Sequence, residues 1–308
     1  MKKTREQEYQ ELLARPFSIS KNVLHVIQWS GGKDSSALLV WALENLPRDR
    51  LKFIFCDTGW ESPITYQFIQ KINERLLDNQ LIILKSSKYN GLLDLAKKKQ
   101  RFPSTKARFC TEQLKIYPFI EWVLQQSEDI AVYQGIRSAE SISRSRMKVS
   151  DDYFKPYILY QENPFQLDGT KKPKPILYKQ VCEWIEEYDC SVERPFFHWK
   201  TADIIALCKK NQLLNPLYEI GFSRVGCFPC IMERKEGIRK LAEQFPERID
   251  LIARAEQTFD STFFGYSKVP DSQCLKPNIR DVVKWANGDL TESDGNNHSC
   301  MSHFQACE

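Results

Sequence analysis

The 308-residue chain has no long apolar run, and nothing in it approaches the roughly 18 apolar residues that a membrane-spanning helix needs. Its first ten residues, MKKTREQEYQ, are charged with no apolar core behind them, so a secretion signal is not expected. The cytoplasm is the expected location, with no membrane partner. A surplus of one charge is missing too: 44 Lys and Arg face 40 Asp and Glu, and a formal net charge of +4 does not by itself mark a nucleic-acid binder. No internal repeat has the period of a solenoid or propeller. With only 12 glycines and 42% apolar residues, the chain is neither collagen-like nor disordered. At roughly 150 residues per domain, its length predicts one large domain and a smaller one, with enough aromatic side chains to fill a core.

Cysteine, by contrast, is plentiful. Ten cysteines in a large chain without a secretion signal do not read as a disulfide framework, because the cytosol keeps thiols reduced. Metal or redox chemistry is the better expectation.

Residues 1–22 read as a polar helical extension. Val23 to Trp29, Leu51 to Cys56, Leu81 to Leu84 and Ile130 to Gly135 read as strands, separated by helical stretches at Ser35 to Asn45 and Pro63 to Leu77. Such alternation with short turns predicts an α/β domain, a doubly wound and mostly parallel sheet, over residues 23–225. Thr201 to Asn211 reads as a further helix with Thr201 as its N-cap. Residues 226–308 read as a small C-terminal appendage with one or two helices between Gly237 and Glu256, stapled by cysteine-ligated metal.

Between the first strand and helix lies Ser30-Gly31-Gly32-Lys33-Asp34-Ser35, followed by Ser36. Glycines there can turn backbone N–H groups toward an anion at a helix N-terminus, a geometry that suits pyrophosphate. The longer spacing of a Walker A loop is absent. Lys33 supplies a point charge, the hydroxyls of Ser30, Ser35 and Ser36 can donate to phosphate oxygens, and Asp34 can orient the loop or a metal ion. Asp57-Thr58-Gly59 closes the second strand, near the crevice where such sheets bind ligands, and Asp57 can hold Mg²⁺ or adenosine.

Cys227-Phe228-Pro229-Cys230 is a C-x-x-C pair, and Cys300 and Cys307 form a second local pair near the C-terminus. Four thiolates suit a [4Fe-4S] cluster or Zn²⁺, spacing alone does not choose between them, and His298 or His303 can replace a cysteine. Cys110 follows Arg108 and precedes a helix expected to start near Thr111. A helix N-terminus and neighbouring cations would lower its pKa and favour a nucleophilic thiolate able to carry persulfide sulfur; a small core residue is the bland alternative. Cys56, Cys182, Cys190, Cys208 and Cys274 read as structural.

The intact string SGGKDS at Ser30 to Ser35 resembles the PP-loop superfamily. Within it the chain is similar to the phosphoadenosine phosphosulfate (PAPS) reductase-like group. Asp57-Thr58-Gly59-Trp60-Glu61 with Thr65-Tyr66 carries that resemblance, as do Arg108-Phe109-Cys110 with Lys115 and Pro118, and Gly135-Ile136-Arg137 with Glu140-Ser141 and Arg144. Asn215-Pro216-Leu217-Tyr218, Gly221 and Gly226-Cys227 complete it. The resemblance implies an adenine nucleotide alpha hydrolase-like fold that binds ATP and Mg²⁺ or a sulfonucleotide. Arg108, Lys115, Arg137 and Arg144 would add positive charge for the phosphates, and Glu140 would pair with one of the arginines.

The ending CMSHFQACE resembles the C-terminal cysteine signature of the family's iron–sulfur branch. The ECG-(I/L)-H motif of the sulfonucleotide reductases is absent, however, and so is the adjacent Cys-Cys pair of their iron–sulfur members. The chain therefore looks more like the iron–sulfur ATP pyrophosphatases of DNA phosphorothioation systems. That resemblance implies a DNA acceptor, less readily tRNA, and a cysteine desulfurase as sulfur donor. A PAPS or adenosine phosphosulfate reductase, and a nucleotide-binding subunit of a sulfur-transfer complex, are the alternatives. Basic clusters at Lys97 to Arg101, Arg144 to Lys148 and Lys171 to Lys174, the middle one followed by Tyr153, Phe154 and Tyr157, are compatible with a nucleic-acid substrate and equally with a solvated surface.

Overall fold

The computed structural model describes residues 23–166, 168–265, 268–269 and 277–289. The extension 1–22, Cys274, Cys300, Cys307, His298 and His303 lie outside them.

A six-stranded sheet in the order β3-β2-β1-β4-β6-β5 organises the molecule. The first strand, β1 (Leu24–Gln28), is buried along most of its length and runs into helix α1 (Lys33–Asn45). After it come β2 (Leu51–Cys56), α2 (Pro63–Leu76), β3 (Ile82–Leu84) and α3 (Gly91–Lys99). A continuous helical stretch follows, with α4 (Phe109–Thr111) and α5 (Tyr117–Val123) joined by a wider π-helical turn at Glu112–Ile116. β4 (Ile130–Tyr133), α6 (Ile142–Ser145), β5 (Ser150–Asp152), α7 (Lys155–Glu162), α8 (Tyr178–Trp184) and β6 (Cys190–Glu193) complete the sheet. Pairing is parallel from β3 through β6, with Ile27 beside Phe53 and Tyr133; only β5 runs antiparallel to β6. The expected doubly wound, mostly parallel sheet is therefore observed. β5 and β6 were not anticipated, because SDD and CSVE carry almost no apolar signal.

Beyond the sheet lie α9 (Thr201–Lys210), α10 (Pro216–Glu219), α11 (Lys235–Gln244), α12 (Pro246–Phe259) and α13 (Ile279–Asn287). Thr201 is the first residue of α9 rather than its cap; Lys200 occupies that position without a side-chain cap. Apolar side chains from both sides of residue 226 share one core: Trp60, Leu92, Leu95 and Phe102 pack with Phe228, Ile238, Ile252 and Phe263. Burial of this kind, roughly 25 cal/mol per Å² of apolar surface, holds α11 to α13 against the carboxyl edge of the sheet. No described helix is long and apolar enough to cross a membrane.

Candidate active site

The loop between β1 and α1 is shaped by contacts from distant segments. Gly31 has φ +74°, and a Cβ there would lie 3.3 Å from Thr65 and Ile69, so glycine is required by conformation and by space. Asn215 donates its side-chain amide to the Gly31 carbonyl (3.3 Å) and caps the Leu217 N–H with its oxygen (3.0 Å). The Tyr218 hydroxyl accepts from the Lys33 N–H at 3.1 Å. On the other flank Gly135 lies against the Asp34 backbone so closely that a Cβ would fall 2.8 Å from its carbonyl carbon. The loop is thus pinned before any ligand arrives.

Within the loop Ser35 Oγ accepts from the Ser30 N–H (3.2 Å) and contacts Ser30 Oγ (3.1 Å). Ser36 is fully buried, and its hydroxyl accepts from the Trp29 indole (3.0 Å). It supports the loop from beneath, in contrast to the phosphate-facing role expected for it. The N-cap of α1 is Gly32 with no side-chain cap, which leaves first-turn amides for an anion.

Buried charges alternate in sign away from the loop. Lys33 Nζ is 3.1 Å from Asp34 Oδ2, and Arg137 Nε donates to Asp34 Oδ1 at 2.6 Å. Arg137 Nη2 reaches Glu140 at 3.4 Å, and Arg144 pairs with the other Glu140 oxygen. Glu140 also accepts from the Arg137 N–H (3.1 Å). Arg137 Nη1 donates to Thr201 Oγ1 (3.0 Å), the role this threonine takes in place of a cap. Lys33, Asp34, Arg137 and Glu140 therefore meet as one cluster, with Arg144 at its outer end against Glu140.

At the end of β2, Asp57 accepts from the Tyr66 hydroxyl (2.6 Å) and the Gly59 N–H (2.9 Å), and its second oxygen faces Lys85 at 3.2 Å. Burial alone would raise its pKa, but these donors outweigh it and hold the carboxyl below its ordinary range. Tyr66 also donates to Glu61 (3.0 Å), and burial between two carboxylates keeps its phenol protonated. Glu61, 3% exposed, further accepts from the Thr58 N–H (3.2 Å), the Thr58 hydroxyl (2.6 Å) and the Trp60 N–H (3.2 Å). Thr58 is thus turned inward. Gly59 approaches Gly91, whose neighbour Leu92 donates its N–H to the Thr58 carbonyl at 2.9 Å.

Glu61 is also the link to the thiols. Its backbone bridges Cys227 in antiparallel fashion, the Phe228 N–H donates to the Trp60 carbonyl (2.8 Å), and the Trp60 indole donates to the Pro229 carbonyl (3.0 Å). Burial pushes the Cys227 thiol up to about 12 despite the opposing charge of Lys115. The Lys115 pKa is raised by Cys227, then Glu61, Cys56 and Cys230, against the opposing effect of burial; while the Cys56 and Cys227 thiols are neutral, Glu61 is the anion that holds the ammonium. Lys115, expected beside phosphates, has its charge felt by the thiols and Glu61.

Cys110 also departs from expectation. It lies inside the first turn of α4 rather than before a helix, and burial followed by the nearby Cys230 raises its pKa instead of lowering it. Arg108 turns away from it to Thr111 Oγ1 (3.1 Å). Among the described residues no group of three or more His, Cys, Asp or Glu side chains is arranged to hold a metal ion. The expected cysteine-ligated appendage is not shown among the described residues, which include Cys227 and Cys230 of its four cysteines.

Residues 24–233 match the phosphoadenosine phosphosulfate reductase domain. The chain belongs to this PP-loop, PAPS reductase-like family. It is 27% identical over 307 residues to the 37.8 kDa protein of the gpa 5′ region of Escherichia phage 186, covering 82% of each chain. It is 25% identical to the adenosine 5′-phosphosulfate reductase of Bacillus cereus, covering 71% of this chain and 83% of that one. Two solved structures show a partial likeness: the PAPS reductase of Candida auris (TM-score 0.47, 16% identity, 75% and 98% coverage) and the U34-tRNA thiolase NcsA of Methanococcus maripaludis, solved with its [4Fe-4S] cluster (TM-score 0.43, 14% identity, 96% and 84% coverage). The family includes enzymes.

Proposed function

We propose that the chain is a PP-loop ATP pyrophosphatase that adenylates an acceptor oxygen for sulfur insertion, with a DNA acceptor as in phosphorothioate-type modification. The observation that carries this reading is the pinned loop at Ser30 to Ser36, whose Lys33 and Arg137 share Asp34 at the N-terminus of α1. In the first step an acceptor oxygen attacks the α-phosphorus, the bond between that phosphorus and the α,β-bridging oxygen breaks, and pyrophosphate leaves. In the second, the outer sulfur of a donor persulfide, such as that of a cysteine desulfurase, attacks the activated centre and AMP departs with the former acceptor oxygen; a thiol reductant then cleaves the remaining S–S bond, supplies the two electrons and leaves as a disulfide. Lys33 and the loop amides stabilise the charge that develops on pyrophosphate, and Arg137 fixes Asp34 so that the loop need not reorganise.

Asp34 already has a cation on each oxygen. Asp57 fits Mg²⁺ better: one of its oxygens is held only by Lys85, whose side chain is 69% exposed and readily displaced. Mg²⁺ bound there would offset phosphate charge.

Cys227 and Cys230, packed in the apolar core and faced by Lys115, have the chemistry of ligands to a soft metal. They are the residues that would hold a [4Fe-4S] cluster, or Zn²⁺, together with Cys300 and Cys307. Such a cluster would supply a site for soft sulfur.

The experiment is pyrophosphate release from Mg·ATP by anaerobically purified protein, with and without duplex DNA. Release that DNA stimulates and that Lys33→Ala abolishes is the expected result. Release equal in Lys33→Ala and the parent would contradict the reading. Similarity to an adenosine 5′-phosphosulfate reductase favours a second reading, and sulfite formed from adenosine phosphosulfate and a thiol reductant would move the assignment there.

A further inference from the structure

Arg194 closes β6 and is 8% exposed, yet no carboxylate lies within ion-pair distance of it among the described residues. Its Nη1 donates to the Lys148 carbonyl (2.7 Å), its backbone N–H donates to the Val149 carbonyl (2.9 Å), and its Nε has no hydrogen-bond partner. The two acids that influence it are engaged elsewhere. Asp151 takes both contacts of Lys155 (3.0 and 3.1 Å), and Glu193 accepts from Ser150 (2.9 Å). A buried guanidinium with unused donors is costly unless an anion completes it.

The segment whose Lys148 and Val149 carbonyls accept from Arg194 is exposed along most of its length. Arg146 and Lys148 are exposed and form no ion pair among the described residues, and Ile142 and Met147 are 76% and 41% exposed. This segment continues the buried charge chain: Glu140 binds Arg144, and Ser141 caps the Arg144 N–H. The other basic clusters are partly engaged by neighbours. Lys98 pairs with Asp94 (2.9 Å), Lys172 donates to the Asn163 carbonyl (2.8 Å), and Lys174 lies 4.9 Å from the Tyr178 ring centroid.

We propose that Ile142 to Val149, with Arg194 as its floor, is the docking surface for the phosphodiester backbone of a nucleic-acid acceptor. The proposal rests on the adenylating reading above. Arg146 and Lys148 take successive phosphates, the buried Arg194 adds positive charge beneath them without touching the strand, and Ile142 and Met147 offer apolar contact to an exposed sugar or base. Because the segment begins where the Glu140 pairs end, a strand held there lies next to the phosphate loop.

The test is fluorescence anisotropy of labelled strands of about 20 nucleotides, single and duplex, titrated from about 25 to about 200 mM salt. Arg146→Ala/Lys148→Ala is expected to reduce the log–log salt slope by about 1.4 to 1.8, two phosphate contacts' worth, with melting temperature and ATP binding unchanged. Arg194→Gln is expected to weaken binding about twofold, the loss of a charge acting from beneath the surface. No binding of either strand, an unchanged slope in the double variant, or displacement of the strand by a mononucleotide as readily as by a second strand would overturn the proposal. Pyrophosphate release without strand binding would reject only this surface. Strand binding without pyrophosphate release would reject only the adenylating activity.

Discussion

The phosphate-loop side and the thiol side of the site lie within a few residues of each other, yet they treat charge in opposite ways. On the first side, Lys33, Asp34, Arg137, Glu140 and Arg144 alternate in sign, and each is held by its neighbours. On the second, a single cation, Lys115, sits among Cys56, Cys227, Cys230 and Glu61, and burial keeps the Cys56 and Cys227 thiols protonated at about 11 and about 12. One side is charged and complete before a ligand binds; the other is built of neutral thiols that become anionic only when something replaces their protons. Pre-organised charge suits the stabilisation of a leaving pyrophosphate. Thiols protonated at neutral pH suit a partner that displaces the proton, as a metal or a sulfur electrophile does.

Glu61 joins the two sides, since its carboxylate accepts from Tyr66, which also holds Asp57, while its backbone bridges Cys227.

The largest effect is expected from the charged side. Lys33→Ala should lower pyrophosphate release roughly 100- to 1000-fold with little change in melting temperature, measured as initial rates at saturating Mg·ATP. Next is the junction. Every group around the Glu61 carboxylate is a donor, so Glu61→Gln must set its own N–H₂ against N–H and O–H groups; thermal or denaturant unfolding should show a loss of about 3 kcal/mol. If Glu61→Gln were neutral, the two sides would be independent. Third, Gly135→Ala leaves every charge in place but pushes on the Asp34 backbone, and a misplacement of that kind should cost about 100-fold in turnover without removing a functional group.

The smallest effect lies beneath both sides. His25 is fully buried, with Nδ1 at 3.0 Å from the Tyr133 hydroxyl and Nε2 without a partner. Burial, then the charge of Arg50, lowers its pKa, so the unfolded chain binds the proton more readily. Its contribution is complete above about pH 6.5 and is lost as pH falls from there toward the folded value; His25→Phe should remove at most about 1 kcal/mol of that acid dependence in melting curves.

Much of this arrangement could be read in the sequence, and the reasons for the rest are physical. The strands β1 to β4 announced themselves as apolar runs, and the loop glycines announced an anion site. β5 and β6 did not, since one is an acidic tripeptide at the sheet edge and the other has only two apolar residues. Arg137 could be nominated from sequence, but its bond to Thr201 could not, because 64 residues separate them. Asn215 and Tyr218 were visible only as part of a resembling string; their work as clamps on Gly31 and Lys33 depends on tertiary approach. Cys110 was misread because cations near in sequence suggested an electropositive thiolate, whereas burial dominates where the chain places it.

The central claim is tested most directly by identifying the products of ATP labelled at the α-phosphorus, incubated anaerobically with Mg²⁺ and duplex DNA. The account predicts labelled AMP, or an AMP adduct of the acceptor, with stoichiometric pyrophosphate. Labelled ADP with inorganic phosphate, or intact ATP after prolonged incubation alongside sulfite formed from adenosine phosphosulfate, would contradict it.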